Sequence, residues 1–120
     1  MDAIINQQII DLYFKAWKTY DISLLHKIFS PNAKYVIENK NKIYVGIGEI
    51  SQYWLRNKNR QHGLKLCWKN EEDACAIFRA QFWDNEEKEH QEIIGKIYFD
   101  ICSSKKIVEL RECYKKIIYP

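Results

Sequence analysis

The hydrophobic rhythm of this chain changes partway along it, and that change limits the folds available. Ile5, Ile9, Leu12, Tyr13, Ala16, Trp17 and Tyr20 recur at three- and four-residue spacing, which predicts an amphipathic helix over ~3–19 with Gln7, Asp11, Lys15 and Lys18 on its wet side. Asp21 is placed to cap a short second helix over ~22–29, because its carboxylate can accept the unpaired amides of the first turn. Leu24, Leu25, Ile28 and Phe29 form the inner side of that helix, and Ser30-Pro31-Asn32 ends it. Lys34–Glu38 and Lys42–Gly46 read as a hairpin around Asn39-Lys40-Asn41, and a third helix over ~48–58 turns Ile50, Tyr53, Trp54 and Leu55 inward. From residue 64 the period drops to two. Strands are expected over 64–68, 73–83, 92–102 and 106–114, with turns at 69–72, 84–88 and 103–105. Helices first and strands afterwards make an α+β domain, with the helices gathered on one face of a sheet.

At 120 residues the chain is expected to be a single domain, 1–120, able to bury a core without staples. Four Trp, eight Tyr and five Phe are more ring surface than a minimal core needs; a lined cavity and a plain aromatic-rich core are both open uses for it. The net charge of +3 is spread along the chain, and Lys40/Lys42, Arg56/Lys58/Arg60 and Lys115-Lys116 read as solvated loops and helix ends, so no nucleic-acid partner is expected. No apolar run approaches the ~20 residues of a membrane span. The start, with Asp2 and Asn6, lacks a signal-peptide pattern, which leads to the expectation of a cytoplasmic protein with no membrane partner. Cys67, Cys75, Cys102 and Cys113 have no C-x-x-C spacing and are expected as free thiols. His26, His62 and His90 have no partner at ligand spacing, so no metal site is expected.

Several landmarks fall in a recognisable order: Tyr13-Phe14-Lys15-Ala16-Trp17, Asp21, Phe29-Ser30-Pro31-Asn32-Ala33, Tyr44-Val45-Gly46, Ile50 and Tyr53-Trp54, closing with Lys106-Ile107-Val108-Glu109-Leu110-Arg111-Glu112-Cys113-Tyr114. This order resembles the nuclear transport factor 2-like (NTF2-like) superfamily, which includes the ketosteroid isomerases and the SnoaL-like polyketide cyclases. The resemblance implies three N-terminal helices packed in the concave face of a strongly curved, mainly antiparallel sheet, a cone with an open mouth.

In the ketosteroid isomerase branch a helix-one tyrosine and a strand carboxylic acid hold the oxyanion while a hairpin aspartate moves the proton. The resemblance puts Tyr13 on the tyrosine position, but Ile37 on that of the aspartate and Ile97 near that of the acid, so steroid isomerisation is not expected. It also turns the face carrying Val108, Leu110, Glu112 and Tyr114 toward the cavity, which makes Glu112 and Tyr13 the candidate catalytic residues. Trp17, Phe29, Tyr35, Ile37, Trp54, Arg79, Ile97, Leu110 and Tyr114 are the candidate ligand-binding residues. For strand 73–83 two parities remain open: the resemblance favours Cys75, Ile77, Arg79, Gln81 and Trp83 facing inward, and hydrophobicity favours Ala74, Ala76, Phe78, Ala80 and Phe82.

Two functions follow. One is a binder of a small, largely apolar molecule, with cofactor-free acid-base chemistry of the cyclase, dehydratase or hydrolase type. The other is a non-catalytic dimerising or adaptor module. A homodimer is expected in either case, through an outer sheet face bearing Ile94, Tyr98 and also Phe78 and Phe82.

Overall fold

The computed structural model describes residues 2–119. Three helices and six strands follow in the order α1 (Asp2–Thr19), α2 (Ile22–Ile28), β1 (Phe29–Ile37), a 3-10 turn (Glu38–Lys40), β2 (Lys42–Val45), α3 (Ile47–Arg60), β3 (Gln61–Glu72), β4 (Cys75–Asp84), β5 (Glu89–Ile101) and β6 (Ile107–Tyr119). The strands form one sheet ordered β2-β1-β6-β5-β4-β3. All neighbours run antiparallel except β1 and β6, where the first hairpin lies parallel against the last strand. The α+β architecture expected from the sequence is therefore present, and the three helices pack against the inner face of the sheet.

Helix α1 stops because the backbone is turned at Tyr20. Tyr20 has φ 48, its amide donates to Trp17 O at 3.1 Å, and the Asp21 amide donates to Ala16 O at 2.9 Å. This is the left-handed C-terminal cap usually given to glycine, and a residue with a Cβ there costs about 1–2 kcal/mol. The ring holds the conformation in place: it packs edge-on against Trp54, and its hydroxyl bonds Gln61. Asp21 then caps α2, accepting from the Ser23 amide at 3.1 Å.

The buried stripe of α1 is wider than its spacing suggested. Phe14 is fully buried and stacks on Trp68 at 5.1 Å, Asp11 accepts from Trp68 Nε1 at 2.9 Å, and Leu12 is left exposed, as is Leu55 of α3. Phe29 belongs to β1, so the helix ends one residue before the expected Ser-Pro-Asn stop. Strands β1, β3, β5 and β6 are longer than predicted; β3 begins at Gln61 and β6 continues to Tyr119.

The parity of β4 follows hydrophobicity. Phe78 and Phe82 are buried, with Phe78 against Trp17 at 5.3 Å and Phe14 at 6.2 Å, so neither belongs to the outer face as expected. Gly95 on β5 pairs with Phe78 on one side and Tyr114 on the other. A Cβ on Gly95 would stand 2.5 Å from Cys113 O, 2.7 Å from Tyr114 Cβ and 2.9 Å from Phe78 Cε1. The missing side chain lets the strands close up on the inner face at this point.

Candidate functional site

The open end of the inner face encloses a cavity of about 320 Å3. Its wall joins α1 (Trp17, with Tyr20 just beyond), β1 and β2 (Tyr35, Ile37, Tyr44), α3 (Tyr53, Trp54), β4 and β5 (Phe82, Asp84, Gln91, Ile93) and β6 (Glu112, Tyr114). The alternation that sends Leu110, Glu112 and Tyr114 to one side of β6 puts the Glu112 carboxyl on this wall. Its register partners are Ile37 on β1 and Ile97 on β5, so aliphatic side chains flank it on both strands.

Glu112 is 4% exposed. The Tyr35 hydroxyl donates to its Oε1 at 3.3 Å, and the Tyr13 and Tyr35 hydroxyls lie 2.7 Å apart. When Glu112 is ionised, the Tyr35 proton is committed to the carboxylate, so Tyr13 must donate to Tyr35. No protein donor reaches Oε2 among the described residues, and the group lines the cavity. Burial pushes the Glu112 carboxyl up to about 7, against the opposing pull of the Tyr35 hydrogen bond and the positive charge of Lys40. Burial, reinforced by the Glu112 charge, also raises the Tyr13, Tyr35 and Tyr53 phenols well above their ordinary value, so all three remain neutral hydrogen-bonding groups.

A second buried carboxylate, Asp84, lies on the same wall and is 1% exposed. It accepts from Arg60 Nε at 2.7 Å and from the Glu86 and Glu87 amides at 2.9 Å each. Burial works to raise it, but the two amides and Arg60 outweigh burial and hold it below the usual carboxylate range. Asp84 pins the β4–β5 turn and the end of α3.

Of the expected ligand-binding residues, Trp17, Tyr35, Ile37, Trp54 and Tyr114 line the cavity together with Glu112. Phe29, Ile97 and Leu110 are buried in the closed core behind it and do not line it. Tyr13 is likewise fully buried, with its ring between Phe14, Trp54 and Phe99 at 5.2–5.5 Å, so it reaches the cavity only through Tyr35. Arg79 was placed wrongly: it is exposed on the outer face and pairs with Glu92 at 3.4 Å, because the phenylalanines of β4 take the inner side. Tyr53, expected inward on the third helix, lines the cavity and stacks on Tyr44 at 4.5 Å; Tyr44 is not among the expected ligand-binding residues, although the parity of β2 relative to Tyr35 places it inside. The wall is also less oily than expected, since Lys40, Lys42, Arg56, Arg60 and Lys116 stand on it. Among the described residues, no cluster of three or more His, Cys, Asp or Glu side chains could hold a metal ion, and no helix is long and apolar enough to cross a membrane.

No protein-family model matches the chain, and no curated protein matches it in sequence. Solved structures do match. A SnoaL-like polyketide cyclase candidate from Shewanella putrefaciens CN-32 superposes with a TM-score of 0.80 at 14% identity, over 91% of this chain and 88% of that one. Bal32a from a soil-derived mobile gene cassette gives 0.80 at 16% identity, over 95% and 92%. The epoxide hydrolase/cyclase-like enzyme SalBIII, of pyran ring formation in salinomycin, gives 0.77 at 13% identity, over 95% of each chain. The chain has the fold shared by SnoaL-like and NTF2-like proteins.

Proposed function

We propose that this protein binds a small, largely apolar molecule in the cavity and that Glu112 exchanges a proton with it. The observation that carries this reading is a buried carboxyl that lines the cavity, pushed up to about 7 by burial, with one oxygen held by Tyr35 and the other without a protein donor among the described residues. A group that is half-protonated near neutral pH can serve as base or as acid in the same medium. Taking a proton leaves Glu112 neutral among Ile37, Ile97 and the tyrosines, which relieves the charge that burial penalises. Giving it up to a departing oxygen or an opening ring restores the carboxylate, which the Tyr13–Tyr35 pair then solvates. Tyr13 acts only through Tyr35 and is a positioning residue. Cyclisation, dehydration or hydrolysis fits this device, and the fold neighbours described as cyclases or as epoxide hydrolase/cyclase-like point the same way. Steroid isomerisation is disfavoured because the resemblance sets Ile37 at, and Ile97 near, the two positions where that chemistry would need carboxyl groups.

Thermal-shift screening against apolar ketones, polyketide-like aromatics and carboxylic acids tests the binding, and turnover of any hit tests the chemistry. Glu112→Gln should preserve binding and abolish turnover. If no compound stabilises the fold, the binding reading falls; if the Gln variant turns over a hit as fast as the parent, the role of Glu112 falls.

A second reading rests on the outer sheet face, where Ile77, Trp83, Ile94, Tyr98, Ile117 and Tyr119 are 37–44% exposed. We propose that a second copy of this chain covers this strip, as an alternative to or alongside ligand binding. Sedimentation at micromolar concentration should show a dimer, and a clean monomer would rule this out.

A further inference from the structure

We propose that the ligand of this cavity is an anionic aromatic amphiphile, with its polar reacting group at Glu112 and a carboxylate or similar anion at the mouth, held by Lys42, Arg56 and Lys116. The inference rests on the binding reading above and adds charge and length to it.

The cavity wall carries five cationic side chains against three carboxylates, Asp84, Glu86 and Glu112. Arg60 absorbs the first two of these, bonding Asp84 at 2.7 Å and reaching Glu86 at 3.6 Å. Lys40, Lys42, Arg56 and Lys116 have no carboxylate partner among the described residues, and all four are exposed. The whole chain has an excess of only three positive charges, and this wall by itself, with five cations against three carboxylates, has an excess of two. Like charges gathered at a concave mouth repel one another and focus a positive potential on whatever enters.

The register fixes where these charges stand. Lys42 on β2 lies opposite Ile37, whose other neighbour is Glu112, so two strand spacings, roughly 10 Å, separate Lys42 from Glu112. Lys116 is four residues beyond Glu112 on the same face of β6, roughly 13 Å along the strand. Lys40 lies nearer, with its ammonium 5.7 Å from the centre of the Tyr114 ring. On the same wall stand the stacked rings of Tyr44 and Tyr53 with Trp54, a surface suited to a flat apolar body. The cavity thus presents a hydrogen-bonding pole at Glu112, stacked rings on its wall, and Lys42 and Lys116 about 10–13 Å from that pole.

Two probes with the same ring system separate charge from oiliness: 8-anilino-1-naphthalenesulfonate and its uncharged analogue N-phenyl-1-naphthylamine. Fluorescence titrations would use the full chain and the triple variant Lys42→Gln, Arg56→Gln, Lys116→Gln, whose changes all lie on exposed side chains. The sulfonate should bind the parent about tenfold more tightly than the neutral probe. That advantage should shrink between about 20 and 500 mM salt. In the triple variant it should fall to within about twofold, with melting unchanged. Equal affinities in the parent, or an advantage that survives the triple variant, would overturn the inference while leaving the apolar pocket standing. Failure of both probes to bind would overturn the pocket and this inference together.

Discussion

Glu112 and Asp84 are both carboxylates buried on the wall of one cavity, yet their surroundings drive them in opposite directions. Asp84 is met by a guanidinium and two backbone amides at 2.7–2.9 Å, and it stays charged. Glu112 is met by one phenol at 3.3 Å and flanked by two isoleucines, and it is pushed up to about 7. Burial is common to both, so the partners decide the outcome. Asp84 serves the architecture of the fold, and Glu112 is left as a carboxyl whose charged form burial disfavours.

The sharpest way to break this contrast is Asp84→Ala. It strips two amides and Arg60 of their shared acceptor and should destabilise the protein by about 3 kcal/mol in urea unfolding. A loss below about 0.5 kcal/mol, within the range of an ordinary surface change, would show that Asp84 is not the structural partner described.

Glu112→Gln should do the reverse at alkaline pH. The folded state binds the Glu112 proton more tightly than the unfolded chain does, so its contribution is fully present below about pH 4.5 and is lost as pH rises through about 7. Above pH 7 the Gln variant should therefore be more stable than the parent, by up to about 2–3 kcal/mol, with little difference near pH 4. Asp84 has the opposite slope: its contribution is present at neutral pH and is lost only as acid protonates it. Melting temperatures recorded from pH 3 to 9 would show both slopes, and a parent whose stability does not fall between pH 5 and 8 would contradict the placement of Glu112.

Tyr35→Phe removes the hydrogen bond to Glu112 and should cost about 1 kcal/mol. It should also raise the Glu112 carboxyl further, since that bond holds it down. Tyr13→Phe is the smallest change, about 0.5–1 kcal/mol. Because Tyr13 touches Glu112 only through Tyr35, the Glu112 titration should move less than in Tyr35→Phe. Equal shifts in the two variants would mean that the tyrosines act in another order.

Periodicity exposed the architecture because each element has one wet face. The Asp21 cap and the alternation of β6 stand where the spacing puts them; that alternation put Leu110, Glu112 and Tyr114 on one face, and the resemblance to the NTF2-like superfamily turned that face inward. The parity of β4 was open because the resemblance and simple hydrophobicity favour opposite faces; Phe78 settles it by packing on Phe14 and Trp17, a contact between distant segments, with Phe82 buried on the same side. Arg79 was misplaced with that parity. The basic mouth was not legible, since Lys40, Lys42, Arg56 and Lys116 come from a turn, a hairpin strand, a helix and the last strand, and each looks like a solvated charge by itself. Asp84 was hidden for a similar reason: it read as a turn residue, and only the fold shows that Arg60 meets it.

Carboxyl-carbon NMR titration would place both groups on one pH axis in one sample, with Glu112→Gln and Asp84→Asn spectra providing the assignments. Glu112 should titrate at about 7 and Asp84 below the usual carboxylate range. Glu112 titrating near an ordinary glutamate value, about 4.3, would contradict the central claim that this cavity holds a proton ready for exchange at neutral pH.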